Sequence, residues 1–273
     1  MRTVALIGDP VSHSVSPAMH RAAFRERGLD LDYLAIQVRS DELPAIFASL
    51  RDEHVGLNVT RPLKERVIDL LDEVSPDAAR TRSVNTVTFA DGRAVGDTTD
   101  GAGFLNALRR SGQPRSRRAV ILGAGGVARA IGFALRGIGT HVTVSGRTRP
   151  RARSLAEELE GDDVPLDADP LRSALEQADL LVNATPVGGP GEEERSPLPD
   201  GVIPHAGLTV FETVYRPRIT PLVRTAIEAG AHHVEGVHML VEQGARSFEI
   251  WTGVHPPVEV MRAAAVAALE GAA

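Results

Sequence analysis

Short apolar runs alternate with helix-period patterns from the first residues onward. Val4–Ile7 reads as a buried strand, and Ser16 followed by Pro17 as a helix N-cap with proline at the first helical position. Tyr33–Val38 is a second strand, Leu43–Leu50 a short helix and Val55–Thr60 a third strand. Leu63, Val67, Leu70, Leu71 and Val74 recur at the helical period, which predicts a helix over Leu63–Leu71 with Lys64 in its first turn. Val84–Phe89 and Arg93–Gly96 flank Asp91-Gly92, a pair suited to a type I′ turn, so a β-hairpin is expected at a sheet edge.

A helix from about Gly101 to Arg110 leads into a polar, proline-containing connection at Ser111–Arg118, after which the alternation restarts. Arg118–Leu122 reads as a strand, then a Gly-rich turn, a helix to about Arg136, a strand at His141–Ser145 and a helix at Arg151–Leu159. Strands follow at Leu180–Asn183, at Leu208–Phe211 beyond a long polar loop, and near Val234, with a helix at Pro221–Ala229. Two helices close the chain, Met239–Trp251 and Val258–Leu269. The recurring alternation of strand and helix implies an α/β protein with mostly parallel sheets.

The length of 273 residues suits two domains. A net charge of −6 offers no positive field for nucleic acid or an anionic membrane. The absence of cysteine removes disulfides, thiolate metal ligands and a thiol nucleophile. No run reaches the ~20 apolar residues of a membrane helix, and the N-terminus lacks the character of a signal peptide. A cytoplasmic protein acting on small molecules is the expectation, with no metal site.

Gly123, Ala124, Gly125, Gly126, Val127 and Ala128 form G-x-G-x-x-A between a predicted strand and a predicted helix. The first glycine permits the tight turn, the second lets a pyrophosphate approach the backbone, and the small residue allows close helix–strand packing. An NAD site calls for Asp or Glu at the end of the next strand. Here the chain reads Gly146-Arg147-Thr148-Arg149-Pro150-Arg151 instead, a cationic stretch suited to the 2′-phosphate of NADP.

In the first half, Ser12, Ser14 and Ser16 follow strand one beside a helix start, a neutral donor set fit for a carboxylate. Simple helix capping by Ser16 would account for one of them. Lys64 reads equally as a solvated surface charge, and Asp100 equally as the N-cap of the helix it precedes.

Together these segments resemble the shikimate dehydrogenase family, whose members reduce 3-dehydroshikimate with NADPH. The resemblance runs through Gly8–His20, Asn58–Glu65, Val84–Thr86, Thr99–Gly103, Gly123–Ala130, Arg147–Ala152, Asn183–Gly188, Tyr215–Leu222 and Met239–Gly253. It implies two α/β domains around a cleft: a substrate domain of residues 1–100 with 237–273, its sheet mostly parallel, and a Rossmann-type NADP domain of residues 101–236. By the same resemblance Ser14 and Ser16 bind the substrate carboxylate with support from Tyr215, while Thr60, Asn85, Asp100 and Gln243 read the ring hydroxyls. Lys64 is the proton donor, assisted by Asp100. Gly123–Val127 hold the pyrophosphate, Arg147, Thr148 and Arg151 the adenosine phosphate, and Thr213 and Gly236 line the nicotinamide. The implied partners are the small-molecule substrate and cofactor, with a monomer or homodimer as the assembly.

Four positions depart from the family pattern: Thr98 and Gly146 replace Asn, Glu212 replaces Asp, and Gly244 replaces Ala. The chemistry of the residues agrees with the resemblance, since hydride reduction of a ketone requires a proton at the developing alkoxide and a lysine is a suitable acid. His13 is expected to brace its own loop. The alternatives are a relative acting on quinate or an amino analogue, or a catalytically silent metabolite sensor. Hydroxyls at Ser14, Ser16 and Thr60 favour shikimate, and retention of both Lys64 and Asp100 speaks against a sensor.

Overall fold

The computed structural model describes residues 2–113 and 116–271. Pro114 and Arg115, within the polar connection read at Ser111–Arg118, lie outside the described residues. The chain forms two compact units, residues 1–103 with 241–273 and residues 104–240.

In the first unit, β1 (Arg2–Gly8), α1 (Ser16–Glu26), β2 (Leu31–Gln37), α2 (Leu43–Glu53) and β3 (His54–Val59) follow the expected alternation. A two-residue strand β4 (Glu73–Val74), a short helix α3 (Pro76–Thr81) and the hairpin β5 (Thr86–Ala90) and β6 (Arg93–Asp97) complete the sheet. Its order is β2-β1-β3-β5-β6-β4, with β3–β5 and β5–β6 antiparallel and the remaining pairs parallel. Asp91 and Gly92 have φ of 51° and 70°, as a type I′ turn requires. The hairpin is not the edge it was expected to be, because β4 pairs outside β6. Ala5, Ile7, Leu57, Val59 and Val87 pack with Leu43, Phe47 and Leu50 of α2 to form one core.

The helix expected over Leu63–Leu71 does not form. Residues 61–65 make turns, and only Arg66–Leu70 winds, as a 3₁₀ helix. The Lys64 carbonyl accepts the Val84 N–H at 2.9 Å, so it is lost to an i→i+4 bond. Leu63 and Val67 stay buried, which is what the apolar period records. Ser16 is likewise the first helical residue rather than the cap. The capping position is Val15, and no side chain caps α1.

The second unit begins within α4 (Asp100–Arg110) and continues with β7 (Arg118–Leu122), α5 (Gly126–Gly137), β8 (His141–Ser145), α6 (Arg149–Glu158) and β9 (Asp162–Val164). α7 (Ala168–Glu176), β10 (Leu180–Asn183), β11 (Thr209–Glu212), α8 (Pro221–Glu228) and β12 (His232–Val234) follow. All pairs are parallel, in the order β12-β11-β10-β7-β8-β9. That is the doubly wound dinucleotide-binding order, with its switch point between β7 and β10. Alternate residues of β7 serve opposite faces: Ala119 and Ile121 meet α5 and α6, whereas Val120 and Leu122 meet α7 and α8. No helix among the described residues is long and apolar enough to cross a membrane.

The chain returns to the first unit within α9 (Gly236–Thr252) and ends in α10 (Val258–Glu270), which packs on α1. Trp251 anchors α9 to the sheet, its Nε1–H donating to the Val87 carbonyl at 3.0 Å. His20 lies beneath, fully buried, stacked on Tyr33 at 4.5 Å and without a hydrogen-bond partner among the described residues. Burial pushes its pKa down to about 3 from the usual 6.5. The unfolded chain therefore binds a proton that the folded chain refuses, and stability falls as pH drops from about 6.5 towards 3. Between about pH 7.5 and pH 5 the loss from this residue should be about 2 kcal/mol. Urea unfolding of the protein and of His20→Leu checks this: the stability difference between them should shift by that amount, and parallel pH curves would refute it.

Candidate functional site

The ends of β1 and β3 lie side by side in the first unit, and the turns that follow them meet. The Thr60 N–H donates to the Ile7 carbonyl and the Asp9 N–H to the Arg61 carbonyl, both at 2.9 Å. A Cβ on Gly8 would collide with the Thr60 methyl, so glycine is what lets the two turns touch. Ser14 and Ser16 follow at the start of α1, where the Ser14 hydroxyl accepts the Ser16 N–H at 3.2 Å. The Ser16 hydroxyl makes no hydrogen bond among the described residues. A helix start without a side-chain cap and two small hydroxyls are donors suited to an anion. His13 is exposed, and the brace expected of it is absent among the described residues.

Lys64 and Asp100 meet at 2.6 Å, Nζ to Oδ2, with side chains 15% and 5% exposed. The other carboxylate oxygen accepts from Asn85 Nδ2 at 2.8 Å, so both oxygens of Asp100 are held. Asp100 is the first residue of α4, and its side chain reaches across the unit instead of capping its own helix. The Asn85 amide is oriented by the Thr99 N–H, which donates to its Oδ1 at 2.9 Å. Its Nδ2 also faces Thr99 Oγ1 at 2.9 Å and Gln243 Oε1 at 3.2 Å. Gln243 reaches this point because Gly103 of α4 sits directly on its backbone, where no Cβ would fit.

A second tier was not expected from the sequence. Asn58 on β3 donates to the Asn85 carbonyl at 3.0 Å and to Ser247 Oγ at 3.1 Å, and its Oδ1 accepts from the Tyr33 hydroxyl at 2.7 Å. The signal was present: a polar residue inside a strand whose six residues are all buried must find partners. Asn85 and Asp100 are thus held in place by buried partners on neighbouring elements.

The second unit is prepared for a dinucleotide at its switch point. Gly123 has φ of 111° and lies against the Ala184 carbonyl, the neighbouring strand end. Gly125 has ordinary extended backbone, and a Cβ added there would meet nothing within 4 Å. α5 starts there with no side-chain cap, leaving its first amides, at Gly126 and Val127, to an anion. At the end of β8, Thr148 precedes α6, also without a side-chain cap. Four arginines surround this start, and they divide. Arg149 and Arg153 reach Asp163 at 3.5 and 3.4 Å, whereas Arg147 and Arg151 are exposed with no ion pair among the described residues. These residues fit a phosphorylated dinucleotide.

Thr213 and Gly236 meet on the far side of β10. A Cβ on Gly236 would strike the Val214 carbonyl and approach the Thr213 carbonyl carbon at 2.9 Å. Tyr215, half-buried, lies on the same segment, in the second unit. Next to them Glu212, fully buried, gathers donors from Asn183, Val214 and Thr220, a cluster that the sequence motifs did not reveal.

The departures from the family pattern have separate local settings. A methyl at Gly244 would run into Met19 Cε, so Met19 already fills the space of an alanine side chain. At Gly146 the nearest atoms to an added Cβ stand at 3.8 Å, leaving room for a side chain. The Thr98 hydroxyl is buried without a partner among the described residues.

Sequence models of three protein-family domains match this chain. They are described as the shikimate dehydrogenase substrate binding domain at residues 6–87, shikimate / quinate 5-dehydrogenase at 106–190, and the shikimate 5′-dehydrogenase C-terminal domain at 236–266. An NADP(+) shikimate dehydrogenase of Methanopyrus kandleri is 48% identical over 96% of this chain and 93% of its own. A shikimate 5-dehydrogenase of Thermus thermophilus, solved with NADP(H) and shikimate, superposes with a TM-score of 0.92 at 43% identity, covering 98% of this chain and 100% of its own. A quinate dehydrogenase of Corynebacterium glutamicum, solved with NAD, follows at 0.85 and 30%, covering 97% and 98%. A likeness of that extent, spanning both units and every motif described above, makes this chain a member of the shikimate dehydrogenase family.

Proposed function

We infer that this protein catalyses the reversible NADPH-dependent reduction of 3-dehydroshikimate to shikimate. The observation that carries this reading is the Lys64–Asp100 pair at 2.6 Å, with Asn85 holding the second carboxylate oxygen. Bound NADPH would supply the hydride. Lys64 delivers the proton from Nζ to the developing alkoxide, and Asp100 keeps the ammonium aimed while it does so. Ser14 and Ser16 take the substrate carboxylate, with Tyr215 assisting, and Thr60, Asn85, Asp100 and Gln243 select the ring hydroxyls. Gly123, Ala124, Gly125, Gly126 and Val127 receive the pyrophosphate, Arg147, Thr148 and Arg151 the 2′-phosphate, and Thr213 and Gly236 border the nicotinamide. In this proposal the first unit is the substrate domain and the second the cofactor domain of a cytoplasmic monomer or homodimer.

A matrix of shikimate and quinate against NADP and NAD tests the assignment. Shikimate with NADP should give the highest kcat/KM. A preference for quinate with NAD would place the chain with the quinate branch of the family, and no turnover with any pair would favour a sensor. A narrower test uses the empty space above Gly125. Gly125→Val should leave the melting temperature unchanged, because no protein atom is in the way, while raising KM for NADP at least about tenfold through loss of phosphate contacts. A parallel loss of stability would mean that the glycine serves the fold alone.

A further inference from the structure

Glu212 stands at the end of β11, 0% exposed, and its carboxylate is an acceptor for three separate segments. Asn183 Nδ2, from the end of β10, lies 2.9 and 3.1 Å from its two oxygens. The Val214 N–H donates to Oε1 at 2.9 Å, and the Thr220 hydroxyl, at the start of α8, to Oε2 at 2.9 Å. Asn183 cannot turn its amide round, because its Oδ1 already accepts from the Thr185 N–H at 3.0 Å and the Thr185 hydroxyl at 2.6 Å. No cationic side chain among the described residues comes within ion-pair distance. Arg218 on the adjoining segment is paired with Glu235 at 2.8 Å, and Arg195 with Glu192 at 2.9 Å. A fully buried carboxylate facing only neutral donors is an expensive way to tie three segments together. An apolar side chain would leave these donors unpaired and an amide would turn a donor towards a donor, so only the charged form accepts from all three.

The segments it ties are those next to Thr213 and Gly236. Gly236 rests on the Val214 carbonyl, and Gly189 and Gly188 pack against Val214 and Thr220. We propose that Glu212 is a positioning residue for hydride transfer: its ionised carboxylate holds Val214, and through it Thr213 and Gly236, in the arrangement that seats the nicotinamide, and protonation releases one of those ties. This rests on the assignment of the second unit to NADP. An ionised carboxylate only accepts, whereas a protonated one carries an O–H: on Oε1 it meets the Val214 N–H, itself a donor, and that contact is lost, and on Oε2 it meets the Thr220 hydroxyl, which has to reverse to accept. Burial pushes the Glu212 pKa up to about 7, against the pull of its four hydrogen bonds. Ordering of this corner should therefore be complete above that pH and decline below it.

The same shift fixes the sign for stability. With the folded pKa raised above the unfolded 4.5, stability from this residue is full at low pH and declines as pH rises through about 7. Order at the nicotinamide corner and overall stability thus move in opposite directions with pH.

The test compares the protein with Glu212→Gln, which imitates the protonated state, and Glu212→Asp, which keeps an ionisable group. At about pH 8.5, Glu212→Gln should show kcat lowered about tenfold with KM for shikimate unchanged. At about pH 5.5 the two rates should converge, since the wild type is then protonated too. Glu212→Asp should retain the pH dependence. In cofactor-free protein, amide hydrogen exchange gives a readout that needs no activity: Val214 protection should fall about tenfold in Glu212→Gln, and in wild type as pH drops from 8.5 to 5.5. A wild type inactive with shikimate and NADP overturns the proposed activity and leaves the exchange measurement standing. An active wild type whose rate ratio to Glu212→Gln is the same at both pH values, or whose Val214 protection ignores pH, overturns this inference alone.

Discussion

Lys64→Ala should lower turnover by ~10²–10⁴-fold while KM for shikimate moves little. The reasoning starts from the turn that carries the residue. Its main chain is tied to Val84 and Leu63 beside it is buried, so truncating the side chain leaves the backbone in place. In the proposed mechanism, what disappears is the proton source at the alkoxide, which is needed in the transition state far more than in the bound ground state. Asp100 keeps one partner, Asn85, so the site should stay ordered. Steady-state kinetics at saturating NADP, with a melting curve as control, decide the matter. A mutant whose KM rises tenfold at unchanged kcat would make Lys64 a binding residue only.

Removing Arg147 and Arg151 together should raise KM for NADP by ~10²-fold, with NAD kinetics altered by no more than about twofold. Hydrogen bonds to a charged group are worth about 1.5–3 kcal/mol each, and solvent exposure trims these two towards the lower end. Arg149 and Arg153 supply the internal control, because they are engaged with Asp163. Arg153→Ala should disturb both cofactors equally or neither. Equal losses for NADP and NAD in the Arg147→Ala, Arg151→Ala double variant would show that these arginines merely shape the start of α6.

The sequence reveals the elements that bury a continuous apolar stripe and hides those that do not. β7, α5, β8 and β10 carry runs of fully buried residues, and the strand–glycine–helix junction at Gly123 stands out for that reason. β4 has no buried residue, α3 buries Ala78 and Thr81, and α7 buries only Leu171 and Leu175, so none left a pattern long enough to read. The 3₁₀ turn after Lys64 reads as a longer helix because Leu63 and Val67 satisfy a helical period that the Val84 hydrogen bond then vetoes. At the site, Lys64, Asn85 and Asp100 were legible through motifs, and the division of the arginines was not, since it depends on where Asp163 falls in β9. The Asn183–Glu212–Thr220 cluster joins positions 29 and 8 residues apart, a pairing that only the sheet creates.

Trp251, held to Val87 by its indole N–H, is the single tryptophan of the chain, and it belongs to the first unit. Of the two tyrosines, Tyr33 shares that unit and Tyr215 lies in the other. Indole fluorescence is therefore a domain-selective reporter. During chemical denaturation its emission follows loss of the first unit alone, while circular dichroism averages both. Superimposable transitions would mean that the two units unfold as one cooperative block, and separated midpoints would resolve the order in which they come apart.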